Sequence, residues 1–156
     1  MTTLPRISLT PEADILYNVS SVTGCGCVLL RCLLMVQSSP LSMSRTFRDM
    51  MIAHALEELP NECCGLLLGS DGVVERVVAV KSDPPAPDRY YMDPVQQVEV
   101  FEEMQTLGQS LIGIYHSHPN GPDEPSPTDL AEAYYPEAAY LIWSKSNEAW
   151  VCRAFA

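Results

Sequence analysis

Leu111 to Tyr115 is an unbroken apolar run of strand length. A strand without a polar face is a central strand covered on both sides, so layers must pack against it above and below. The flanking sequence supplies them. From Ser44 to Leu59, apolar residues at Phe47, Met50, Met51, Ala55 and Leu59 recur at helical spacing, with Ser44 as cap and Pro60 as stop. A second helix follows Asp93-Pro94, with Val95, Val98, Phe101, Met104 and Leu107 as its apolar stripe. Between the helices, Cys63 to Gly69 reads as a buried strand, and Ser70-Asp71-Gly72 turns it into Val73 to Val80 as a β-hairpin. Pro84, Pro85 and Pro87 keep Lys81 to Arg89 out of any sheet ladder. Ser126-Pro127-Thr128-Asp129 starts a short helix that Pro136 ends, and Ala138 to Trp143 and Ala149 to Phe155 read as two closing strands. Helices interleaved with strands predict an α/β sandwich.

The length of 156 residues suits one domain and one active site. Residues 1–42 have no sustained period and read as a poorly ordered N-terminal extension. Met43 is the more natural beginning of a domain spanning 43–156. A net charge of -11 repels polyphosphate over most of the surface, which excludes nucleic acid as the expected partner. No stretch of about 18 or more apolar residues is available to span a bilayer. Val28 to Val36 lacks the basic flank and cleavage site of a signal peptide, so the expected location is cytoplasmic, with no membrane partner. The six cysteines then read as reduced thiols. Cys63, Cys64 and Cys152 are expected in strands. Cys25, Cys27 and Cys32 have no fourth ligand nearby for a metal knuckle. Nothing in the sequence specifies an oligomeric state.

The apolar run leads straight into His116-Ser117-His118-Pro119. Side chains two apart on a strand share a face, so both imidazoles can aim at one point where the strand leaves the sheet. Ten residues separate His118 from Asp129, enough for the chain to turn and present a carboxylate from the first turn of the next helix. Three protein ligands and an open position describe a catalytic zinc site, where bound water acquires a pKa of about 7. Each piece also has a plainer explanation. Paired histidines are often only hydrogen-bonded. Ser126, Pro127 and Asp129 form a capping box by themselves, which competes with a metal for the Asp129 carboxylate.

Taken together, His116-Ser117-His118-Pro119 with Ser126 and Asp129 resembles the JAMM (MPN-plus) metalloprotease motif: His-Ser/Thr-His, seven residues, Ser, two residues, Asp. Pro60-Asn61-Glu62-Cys63-Cys64-Gly65-Leu66-Leu67-Leu68-Gly69 is similar to the family's Glu-bearing segment. The resemblance covers roughly residues 44–155. It implies an MPN-type α/β sandwich with a mixed central sheet, Zn2+ on His116, His118 and Asp129, an acid/base at Glu62, and an oxyanion-stabilising Ser126. Glu57 and Glu58 read as a solvated helix end, Asp123 and Glu124 as loop residues, and His54 as a surface or core histidine.

The chain is similar to the short, stand-alone prokaryotic-type members. Their substrates imply an isopeptidase or peptidase acting at the C-terminal Gly-Gly tail of a ubiquitin-like or sulfur-carrier protein. Such a tail would lie extended, with Arg89, Tyr90 and Tyr91 available to one side of its groove. The same zinc chemistry also suits a small-molecule amidohydrolase. A non-catalytic MPN scaffold would be expected to have lost metal ligands, and a zinc nucleoside deaminase needs a Pro-Cys-x-x-Cys pair that is absent.

Overall fold

The computed structural model describes residues 15–17, 41–146 and 149–155. Its strands are β1 (Ile15–Tyr17), β2 (Leu41–Met43), β3 (Cys64–Ser70), β4 (Val73–Val80), β5 (Ser110–His118), β6 (Ala139–Ser146) and β7 (Ala149–Phe155). Helices α1 (Arg45–Glu57), α2 (Pro94–Thr106) and α3 (Pro127–Ala131) connect them. The sheet order is β1-β2-β4-β3-β5-β6-β7. β3 runs antiparallel to β4 and β5, β5 runs parallel to β6, and β6 runs antiparallel to β7. The fold is the expected α/β sandwich with a mixed sheet.

β5 is central, and a separate apolar core forms on each side of the sheet. One joins Met51 and Ala55 of α1 to Leu67, Tyr115, Leu141 and Trp143. The other joins Val100 of α2 to Leu66, Leu68 and Ile114. A bulge adjusts β5 to both: the register moves from Leu67↔Gly113 to Leu68↔Leu111, leaving Ile112 as the extra residue. Ile112 then packs with the first core, whereas Leu111 and Ile114 pack with the second.

The strand expected over Leu111 to Tyr115 continues to His118, which pairs with Ser144 of β6. The polar residues at its end stay in the ladder because a parallel neighbour satisfies their backbone groups. Both histidines therefore belong to the strand itself. β2 also adds to the sheet ahead of the expected boundary at Met43: Ser42 pairs with Val73, and Leu41 and Met43 are buried. Cys25, Cys27 and Cys32 lie outside the described residues.

The helix caps are as expected. The Ser44 side chain accepts from the Phe47 N–H, and Asp93 accepts from the N–H groups of Val95 and Gln96. The buried faces differ. In α1, Met51 and Ala55 are buried while Met50 is exposed, and Leu59, expected in the same stripe, lies exposed beyond the helix end. In α2, Val95 and Val98 face solvent, as does Leu107 at the C-cap, and Val100, Phe101 and Met104 pack on the sheet. Each helix carries two overlapping apolar stripes, and docking on the sheet selects one of them.

Gly65 of β3 leaves room for side-chain and backbone atoms of the two strands that flank it in the sheet, β5 and β4. A Cβ there would overlap the Tyr115 ring and the Val78 carbonyl oxygen. Gly65→Ala is expected to lower the unfolding free energy by about 1–3 kcal/mol, measured as a shift in urea midpoint at unchanged slope.

Candidate metal centre

His116 and His118 project from the same face of β5, and their Nε2 atoms stand 3.0 Å apart. Asp129, in the first turn of α3, completes the cluster. Its Oδ1 is 3.6 Å from His116 Nε2 and its Oδ2 3.4 Å from His118 Nε2. In tetrahedral coordination with metal bonds of about 2.0–2.2 Å, neighbouring ligand atoms stand roughly 3.4 Å apart. The observed separations bracket that value, so His116, His118 and Asp129 could together hold one divalent ion.

The expected competition for Asp129 does not arise. The capping box is formed: Ser126 Oγ accepts from the Asp129 N–H at 3.1 Å, and Asp129 Oδ2 accepts from the Ser126 N–H at 2.6 Å. A carboxylate has about four lone-pair positions, so the cap aims the group at the imidazoles without using it up. The cap therefore orients the third donor.

The two imidazoles are held differently. His118 Nδ1–H donates to the Pro122 carbonyl at 2.8 Å, which leaves the Nε2 lone pair facing the cluster. His116 Nδ1 is buried with no hydrogen-bond partner, and the Tyr90 ring stacks on this imidazole at 4.7 Å and 29°.

Glu62 lies in the segment between α1 and β3, only 4% exposed, with Oε1 3.9 Å from His118 Nε2. Its backbone N–H donates to the Ala86 carbonyl at 2.8 Å. The next residue, Cys63, donates its N–H to Ser117 Oγ at 2.9 Å and accepts from the Ser117 N–H at 3.1 Å. The acid is thereby fastened to the strand that carries both histidines. The sequence assigned no such role to Ser117, Tyr90 or Pro122. Their partners are chosen in space, and no local pattern marks them.

Charges in the cluster are mutually adjusted. Burial raises the Glu62 pKa to about 7, with His118 pulling it back and Asp129 and Asp88 adding to the rise. Burial also opposes the Asp129 charge. Bonds from His116, His118 and Ser126 nevertheless hold that carboxyl well below the usual range. For His118 burial works downward, but Asp129, the Pro122 carbonyl and Glu62 together raise its pKa. Burial lowers that of His116.

The remaining acids and His54 stay outside the cluster. His54 Nδ1 is 2.9 Å from the Tyr115 hydroxyl, and Asp123 and Glu124 each lie 3.4 Å from Arg153 of β7. That pairing ties the loop between His118 and Asp129 to the edge of the sheet. A groove of about 520 Å³ opens beside His116 and Asp129, walled by Leu130, Ala133, Pro136, Tyr140 and Phe155. No helix among the described residues is long and apolar enough to cross a membrane.

A mixed sheet ending in this His-His-Asp cluster, with a buried glutamate beside it, defines a metallohydrolase of the JAB/MPN class. Residues 44–154 match the model of the prokaryotic homologues of the JAB domain, and the chain belongs to that family. It is similar to the desampylase of Haloferax volcanii, 37% identical over 114 residues, covering 69% of this chain and 82% of the relative. It is 43% identical over 92 residues to the "Probable TtuB-protein conjugate cleaving protease" of Thermus thermophilus, covering 58% of this chain and 61% of that one. The CysO-cysteine peptidase of Mycobacterium tuberculosis is 34% identical over 96 residues, covering 60% of this chain and 66% of the relative. Among solved structures, a protein from Desulfitobacterium hafniense superposes with a TM-score of 0.64 at 35% identity, covering 72% of this chain and 80% of that one.

The raised Glu62 pKa has a measurable consequence. Near pH 4 the carboxyl is neutral in both the folded and the unfolded chain and costs nothing. As pH rises the unfolded chain loses the proton first, and the penalty of the buried charge is complete above about pH 7. Glu62→Gln is expected to leave the melting temperature of the metal-free protein unchanged near pH 4 and to raise it at pH 8. Calorimetry across that range checks it, and a difference independent of pH would contradict it.

Proposed function

We propose that this chain is a zinc-dependent hydrolase that cleaves an isopeptide or peptide bond at the C-terminal Gly-Gly tail of a ubiquitin-like or sulfur-carrier protein. The observation that carries the reading is the convergence of His116, His118 and Asp129 at separations suited to zinc, with buried Glu62 beside them. The names of the Haloferax, Thermus and Mycobacterium relatives support the substrate class.

His116, His118 and Asp129 would hold the ion. When bound, zinc lowers the pKa of water and polarises the scissile carbonyl. Glu62 accepts the proton of the attacking water and delivers it to the departing amine. Burial suits it to this exchange, because a group titrating near neutrality both takes and returns a proton. Ser126 Oγ uses a lone pair for the Asp129 N–H, so its O–H is available to the oxyanion that develops at the carbonyl. The groove beside His116 and Asp129 offers an apolar wall to an extended tail. We assign the activity to the domain expected from residue 43, whose sheet also takes in Leu41 and Ser42 of β2, and a cytoplasmic location, where the buried thiols of Cys63 and Cys64 remain reduced.

The test combines metal content with cleavage of a Gly-Gly-tailed carrier conjugate. Wild type is expected to bind about one zinc and cleave, following the three-ligand catalytic pattern. His118→Ala should lose both properties, and Glu62→Ala should keep the zinc and lose cleavage. Ser126→Ala is expected to keep zinc and to lose about 10²–10³-fold in kcat. Zinc binding with turnover of short peptides but not of the conjugate would favour a small-amide substrate. A folded wild type that binds no zinc would overturn the catalytic reading.

A further inference from the structure

Ligating histidines almost always donate their second ring N–H to an acceptor, which sets both tautomer and ring orientation. His118 follows the rule through Pro122, and His116 does not: its Nδ1 is buried without a partner, and the residue is only 1% exposed. Something else must hold that ring in plane. The Tyr90 ring lies nearly parallel to it, with centroids 4.7 Å apart and planes 29° from one another.

Tyr90 is itself well secured. The chain enters and leaves its loop through a neck in which Asp93 N–H donates to the Lys81 carbonyl at 2.9 Å and Asp83 N–H to the Tyr91 carbonyl at 2.8 Å. Tyr91 N–H donates to the hydroxyl of Ser82, a buried serine, at 3.1 Å. The same loop accepts the Glu62 N–H on its Ala86 carbonyl. One proline-rich loop thus touches both the glutamate and a histidine of the cluster.

We propose that Tyr90 is a positioning residue that orients His116 for metal by ring stacking, in place of the missing hydrogen bond on Nδ1. The role belongs to the aromatic face and not to the hydroxyl, which has no hydrogen bond among the described contacts. This inference rests on the reading of His116 as a metal ligand. It predicts that, of the groups on Tyr90, the ring face and not the hydroxyl affects how tightly the ion is held.

The experiment measures zinc affinity by chelator competition in wild type, Tyr90→Phe, Tyr90→Leu and Tyr90→Met, with the melting temperature of each metal-free protein alongside. Tyr90→Phe should bind as wild type does. Tyr90→Leu should bind about 10–100-fold more weakly, the usual cost of losing a group that orients a ligand. Excess zinc should restore its kcat with KM unchanged. If Tyr90→Leu does not fold, the unbranched Tyr90→Met carries the same expectation. Wild-type affinity in a folded Leu or Met variant would overturn the proposal. So would a loss that persists at saturating zinc and falls on KM, which would make Tyr90 a substrate contact. If wild type itself binds no zinc, the metal-ligand reading fails before this inference is reached.

Discussion

Two hydrogen bonds between Ser117 and Cys63, one in each direction, close the end of the β3–β5 ladder. That junction sets the position of Glu62 relative to His116 and His118. Ser117 sits between the two histidines, and Cys63 directly follows the glutamate, so a shift of either strand would separate Glu62 from His116 and His118. Both residues are fully buried, where a hydrogen bond gains strength and an unpaired amide is costly. The register of β3 on β5, Cys64 opposite His116, continues the same constraint into the sheet.

The cluster at this junction brings two imidazoles and two carboxylates together with little access to water. Such a group is costly to bury unless its members satisfy one another. Asp129 does so most fully, through its cap and its two histidine neighbours. Glu62 does so least, and burial keeps it close to neutrality as a result. Two carboxylates a few residues' reach from one another in space thus have opposite protonation tendencies, a division that suits one to holding a cation and the other to moving a proton. The flanking elements serve this arrangement. Arg153 anchors the loop between His118 and Asp129, and the loop carrying Ala86 and Tyr90 anchors Glu62 and His116 from the other side.

Much of this was legible in the residues. Caps at Ser44, Asp93 and Ser126 depend on atoms two or three residues away, and the strand runs of β3, β4 and β5 need only their own composition. The His-x-His spacing implies a shared face through strand geometry alone. The helix faces were less legible. Of the stripe expected for α2, Phe101 and Met104 pack on the sheet, whereas Val95 and Val98 are exposed and Val100 is buried. Either stripe obeys helical periodicity, and only the position of the sheet distinguishes them. The apolar run of Leu111 to Tyr115 shows less of β5 than the sheet holds, for a related reason. Its polar end stays in the ladder because β6 lies alongside, and β6 is reached only after α3.

The amino-acid sequence by itself determined the chemical identity of the donors, the pairing of the histidines on one face, and the cap that starts α3, because each is settled within a few residues of chain. Tertiary structure decided which lone pairs face the cluster, how Glu62 is charged, and what holds each ring. Those outcomes come from Cys63 meeting Ser117 and Tyr90 meeting His116. Contacts between residues tens of positions apart cost loop-closure entropy and form only when a packed core brings them together.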